Sequence, residues 1–267
     1  MDQKPIPEEI RRKIEAVELT NDEYLVVFCN RETPEARAIE LIDGRIHFRE
    51  YILPSHGAVS GNVSSQLVRQ DPQDIFQCSS GVGRVFFAYF TDNEGIPLGN
   101  SNKQPDAMFS IVLANLPNGG AGHTFQQLSN GAMLFPVICF EIAICNETLP
   151  RLFGDLGRYF QAGTGTRYWM GIKVFKNDPP EVIRWWAGHA LRDQDPQTNM
   201  FLDSYTFQAG SMRTDLHRNA DINIPVPGLQ FTVDLATLLH PLAVPPGYAP
   251  QIVWDVERLR QIIIQNL

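Results

Sequence analysis

Glu141 stands in the middle of PVICFEIAICNE (136–147), a run that otherwise reads as a buried strand. A carboxylate in such a strand loses its hydration at considerable cost unless it is paired, protonated or bound to a metal. A second carboxylate, Asp106, opens the apolar run QPDAMFSIVL (104–113). Two carboxylates on neighbouring strands can share a hard divalent cation such as Mg²⁺ if the connecting loop lets them converge. Strand alternation groups Glu141 with Val137, Cys139 and Ala143, and sets Ile138, Phe140, Ile142 and Ile144 on the other face. The bulkier face is expected to pack on a helix, which leaves Glu141 looking toward a small-residue side where a cleft could form. Structural readings compete: Asp106 as a strand-capping carboxylate after Pro105, and Glu141 as half of an ion pair with Arg158 or Arg167.

The elements that must position this pair follow from periodicity and turn chemistry. Residues 8–18 read as a short charged helix, YLVVFC (24–29) as a strand or a buried helical turn, and ARAIELIDGRIHFREY (36–51) as a hairpin about Asp43-Gly44, which tolerates positive φ. Glu40 in that hairpin is expected to face Arg45 or Arg49, or else to join the metal site. After Pro54, Val59, Val63 and Leu67 recur at steps of four behind a Ser55 cap and predict a helix. GRVFFAYF (83–90) and QPDAMFSIVL read as strands, and the Gly/Asn-rich segment 114–131 as a loop.

Beyond the Glu141 strand, Leu149, Leu152, Phe153, Leu156 and Phe160 share one helical face, with Asn146 as cap and Gly163 as stop. RYWMGIKVF (167–175) then reads as a strand, so the segment predicts two parallel strands joined by a right-handed helical crossover. EVIRWWAGHALR, SYTFQAG and LQFTVD suggest further strands, and VWDVERLRQIIIQNL a closing helix.

A chain of 267 residues with 43% hydrophobic content can bury a substantial core. Its 4 cysteines lack paired spacing, which points to a reducing compartment. Neither a signal peptide nor a long apolar window is present, so an intracellular protein, cytoplasmic or nuclear, with no membrane contact is expected. The net charge of −8 argues against broad phosphate-driven binding to nucleic acid, yet residues 151–192 hold 7 Lys/Arg against 3 Asp/Glu and could supply a local basic region. His56 reads as a capping or packing residue, and His123 and His189 lack zinc-site spacing.

The ordered series QPDAMFS, then VICFEIA on the next strand, resembles the PD-(D/E)XK nuclease superfamily. More specifically, the chain resembles the Uma-two group of restriction-endonuclease-like proteins. IELIDGRI is similar to that group's early hairpin, PSHGAVSGNVSSQL to its His-bearing first helix, GRVFFAYF with QPDAMF to its next strand pair, LGRYFQAGTGTRYWMGI to its helix and following strand, and IPVPGLQFTVDLATLL to its closing segment. The likeness runs over roughly residues 20–240.

This resemblance implies an α/β fold with a restriction-endonuclease-like core of helix, three strands, helix and strand, a mixed sheet flanked by helices, and a β-rich C-terminal extension. Residues 1–19 would be an N-terminal extension, 20–240 the domain, and 241–267 a tail with a helix. It further implies a metal-dependent endonuclease acting on DNA, with Asp106 and Glu141 holding Mg²⁺ or Mn²⁺ and Glu40 as a third candidate ligand. The family's lysine, two residues after the glutamate, is replaced by Ala143, and the alternative helical lysine falls on Asp155. Lys173 in GIKVF is the candidate replacement, because the crossover should place its strand beside that of Glu141. The alternative is a catalytically decayed fold that binds nucleic acid or protein. Homodimerisation through the Trp185-Trp186 strand or the 251–267 helix is compatible with both.

Overall fold

The computed structural model describes residues 39–42, 45–48, 54–79, 85–86, 102–103, 105–116, 127–128, 133–144, 148–160, 164–175, 182–216 and 230–266. The expectations for residues 8–18 and 24–29, and for His123, lie outside these. In chain order the elements are β1 (Ile39–Ile42), β2 (Arg45–Phe48), α1 (Pro54–Val68), β3 (Phe76–Ser79), β4 (Val85–Phe86), β5 (Asn102–Lys103), β6 (Ala107–Val112), β7 (Gln127–Leu128) and β8 (Met133–Ile144). There follow α2 (Leu149–Tyr159), β9 (Tyr168–Phe175), β10 (Val182–Gln194), β11 (Phe201–Leu216), β12 (Gln230–Asp234), α3 (Leu235–Leu239), β13 (Gln251–Asp255) and α4 (Val256–Asn266). None of the described helices is long and apolar enough to cross a membrane.

The chain forms two compact units, one of residues 1–51 and 81–104, the other of residues 52–80 and 105–267. In the first, β1 and β2 pair antiparallel, with Ile42 opposite Arg45. The register sets Glu40 opposite His47, not opposite Arg45, because antiparallel pairing keeps the sum of paired residue numbers constant and Arg45 is taken by Ile42. The small sheet runs β2-β1-β5-β4. The strand expected over 83–90 is thus represented by Val85–Phe86, paired with Asn102–Lys103 in this unit.

The second unit is a mixed sheet with strand path β11-β10-β9-β8-β6-β3, β7 adding to the end of β8. β3, a short strand whose four residues carry little apolar pattern, takes the edge beside β6. β8 and β9 are parallel, and α2 is their crossover. β9 is buried along nearly its whole length, as expected for a strand covered on both faces. α2 begins at Thr148, whose hydroxyl accepts from the Arg151 N–H at 3.3 Å. Thr148, not Asn146, is therefore the cap, and Pro150 fits the first turn, where no intrahelical donor is needed.

The two sheet faces have different covers. Ile138, Phe140 and Ile142 of β8 join one core with Val59, Val63 and Leu67 of α1, Phe231 and Val233 of β12, Trp254 of β13, and Leu259 and Ile263 of α4. The opposite face is covered by α2. Beyond β9, the hairpin β10–β11 extends the sheet antiparallel. The sequence VWD belongs to β13, and the closing helix starts at Val256.

The ribbon β12–β13 is joined to α1 by two glutamines one helical turn apart. Gln70 donates to the Val253 carbonyl at 2.7 Å and accepts from the Val253 N–H at 2.9 Å. Gln66 repeats the pattern on Asp255 at 3.2 and 2.7 Å. The two side-chain amides thereby stand in for a neighbouring strand along the edge of β13.

Candidate active site

β6 runs antiparallel to β8, with Ala107 opposite Phe140 and Met108 opposite Cys139. Just before β6 the chain bends, and Asp106 brackets Glu141: its N–H donates to the Phe140 carbonyl at 3.0 Å, and its carboxylate Oδ2 accepts the Ile142 N–H at 2.7 Å. One carboxylate is therefore tied to the residues immediately before and after the other. Asp106 is half-buried, so the pair meets solvent on its side.

Glu141 is 2% exposed and lies under α2 rather than in an open cleft. The reason is the composition of α2's inner face. Its buried residues are Leu152, Asp155, Leu156 and Tyr159, one stripe at helical spacing, and the Tyr159 hydroxyl donates to Glu141 Oε1. Phe153, expected on that face, sits at the rim, 36% exposed, with its ring edge-on to Trp186 at 5.1 Å. Burial first, and then the negative charge of Glu141, push the Tyr159 phenol well above its ordinary range. It therefore remains a donor at any working pH. The Cys139 thiol, one step along the same face, is likewise pushed up by burial, and lies 3.6 Å from the Thr166 hydroxyl.

β9 supplies the neighbouring row. Cys139 pairs with Trp169, Glu141 with Gly171 and Ala143 with Lys173. Cross-strand partners share a face, so Lys173 stands on the Glu141 side, beside the position two residues after the glutamate. Its ammonium is buried, donates to the Val174 carbonyl at 2.8 Å and lies 5.5 Å from the Phe175 ring centre. Gly171 is glycine for a steric reason: the Trp169 indole lies over it, and a Cβ there would come within 2.0 Å of the ring.

Of the arginines considered as partners for Glu141, Arg158 pairs with Asp155 at 3.0 Å. Arg167 donates to the Leu238 carbonyl and stacks over Phe201 at 4.5 Å. Burial, with a smaller contribution from Arg192, holds the Arg167 guanidinium down at about 10. Arg192 braces the end of the crossover. It donates to the Thr164 carbonyl at 2.6 Å and pairs with Asp203 at 2.9 Å, while the Thr164 hydroxyl donates to the Tyr159 carbonyl. Glu40 belongs to the other unit, and its side chain lies outside those described. Among the described residues, no three His, Cys, Asp or Glu side chains gather as a metal cage. The remaining candidate ligands are Asp106 and Glu141, with Asp106 bonded to the residues on either side of Glu141 in β8. Such a pair fits Mg²⁺, which commonly takes one or two carboxylates and completes its shell with water and substrate phosphate.

The sequence reading missed Tyr159, although the signal was present. It lies three and four residues beyond Leu156 and Asp155, on the stripe that the helix buries.

No family model and no curated protein matches this chain. Among solved structures, the chain is similar to the crystal structure of a protein from Anabaena variabilis ATCC 29413 described as a "putative nuclease belonging to DUF820". The TM-score is 0.39 at 18% sequence identity, over 78% of this chain and 89% of that one. The functional reading accordingly rests on the chain's own residues.

Proposed function

We propose that the chain is a metal-dependent nuclease hydrolysing DNA phosphodiester bonds, with Asp106 and Glu141 as ligands of Mg²⁺ or Mn²⁺. The observation that carries this reading is the bracketing of Glu141 by Asp106, with Lys173 on the adjacent strand beside Ala143. When bound, a divalent ion supplies an acidified water and positive charge at the phosphoryl oxygens. The two carboxylates hold that charge in place. Each carboxylate can accept several hydrogen bonds or metal bonds, so the bonds from Ile142 and Tyr159 leave coordinating capacity. Lys173 contributes the cation that offsets negative charge on the phosphate.

The test is cleavage of supercoiled and linear DNA by purified protein with Mg²⁺ or Mn²⁺, wild type against Glu141→Ala. Nicking by wild type alone is expected; intact DNA with both proteins overturns the enzyme reading.

A second reading has its own observation. Glu141 is buried and hydroxyl-bonded, and Ala143 stands where the resemblance expects lysine, which favours a binding module without catalysis. Calorimetric titration with Mg²⁺ separates the two, because such a module takes up no metal that depends on Asp106 and Glu141.

A further inference from the structure

We propose that Tyr159 is the positioning residue of Glu141: its hydroxyl fixes the carboxylate in the orientation that lets it share a divalent cation with Asp106. The inference rests on the metal-site reading above. It goes beyond that reading by assigning a task to a residue that touches neither substrate nor metal.

Glu141 reaches its place through a flexible side chain, so strand register alone does not orient its carboxylate. Tyr159 does so from a rigid ring. The ring leaves the last turn of α2, is wholly buried, and ends in a hydroxyl bonded to Glu141 Oε1. A hydrogen bond from a neutral donor to an ionised acceptor is among the stronger kinds. The backbone of Tyr159 is held as well. The Tyr159 carbonyl accepts from the Thr164 hydroxyl, and Thr164 in turn accepts from Arg192 through both its carbonyl and its hydroxyl, at 2.6 and 3.2 Å. A chain of contacts therefore runs from β10, through the crossover, to one oxygen of the carboxylate. Outer partners of metal-ligating groups orient the ligand, and their loss commonly weakens metal affinity by about 10–100-fold.

The experiment titrates the full chain with Mn²⁺, read by calorimetry and by the electron-spin signal of the free ion, for wild type, Tyr159→Phe and Glu141→Gln. Expected is binding by wild type that Glu141→Gln abolishes, with Kd raised about 10–100-fold in Tyr159→Phe at temperatures where the variant is folded. A purely structural role would lower the melting temperature and leave that Kd unchanged. An unchanged or tighter Kd in Tyr159→Phe overturns the inference while the metal site stands. Absence of Glu141-dependent binding in wild type overturns both. If Tyr159→Phe does not fold, 4-aminophenylalanine at the same place carries the test: it restores a donor, so affinity near wild type is expected, and its loss overturns the inference.

Discussion

Lys173 stands beside Ala143 in the register of β8 and β9. The position two residues after Glu141 is therefore without a lysine in its own strand but has one in the next. Lys173→Met tests whether that placement matters to the reaction. Removing one positioned group that stabilises transition-state charge costs on the order of 10²–10³ in rate. The Lys173 ammonium also bonds the Val174 carbonyl, so its loss leaves a buried acceptor unmatched and costs stability as well. On the proposed nuclease reading, Lys173→Met is expected to lower Mg²⁺-dependent DNA cleavage by that factor when assayed at temperatures where the variant is folded. Full cleavage by the variant would remove Lys173 from the mechanism.

Gly171 pairs with Glu141 and lies beneath the Trp169 indole. An added methyl would meet Cη2 at 2.0 Å and Cζ2 at 2.4 Å, and Trp169 is fully buried, so the ring has no solvent to move into. Gly171→Ala should destabilise by about 1–3 kcal/mol, the usual range for an overpacked core. The urea unfolding midpoint measures it, and an unchanged midpoint would mean that the indole can shift.

The parts of this arrangement that rest on local pattern could be read from the chain. Asp43-Gly44 specifies the hairpin, Val59, Val63 and Leu67 specify the buried stripe of α1, and the apolar runs on either side of α2 specify the parallel pair β8 and β9. What escaped depends on contacts distant in sequence. Phe76–Ser79 becomes a strand because β6 lies beside it, although its own four residues show no clear alternation. The cover over Glu141 was hidden because hydrophobicity alone ranked Phe153 above Tyr159 and Asp155 as inward residues. The polar face under α2 reversed that order: a phenol can satisfy a buried carboxylate, and a phenylalanine cannot.

His189 gives the fold a defined acid sensitivity. It is buried, its Nδ1 lies 2.8 Å from the Tyr168 hydroxyl, and its ring stacks on Phe231 at 4.4 Å. Burial holds its pKa down at about 4, against an ordinary 6.5. The folded state therefore keeps the imidazole neutral where the unfolded chain binds a proton. Stability from this group is fully present above 6.5 and is lost as pH falls from there toward 4. At most one proton is involved, so the slope attributable to His189 is up to about 1.4 kcal/mol per pH unit. In His189→Gln, urea unfolding measured across that window should lose this component of the slope. A slope equal to wild type would assign the acid sensitivity elsewhere.

The glutamine ladder between α1 and β13 makes a prediction in which chemical identity outweighs size. Gln70 both donates to the Val253 carbonyl and accepts from the Val253 N–H, so each end of its amide is matched to a backbone group. Gln70→Ala removes both hydrogen bonds to Val253, and a third from the amide to the Gln66 carbonyl, and leaves the partners to water. These bonds are only part-buried, so the loss should be about 1–2 kcal/mol. Gln70→Glu has nearly the same shape, yet an ionised carboxylate carries acceptors alone. It can keep the bond from the Val253 N–H but sets a negative oxygen against the Val253 carbonyl. At neutral pH Gln70→Glu should therefore be less stable than Gln70→Ala, and acidification that protonates the new carboxyl should narrow the gap by restoring a donor. Urea unfolding of both variants at pH 7 and near pH 4 checks the order. A Gln70→Glu protein as stable as wild type at pH 7 would show that the amide donor to the Val253 carbonyl contributes nothing to stability.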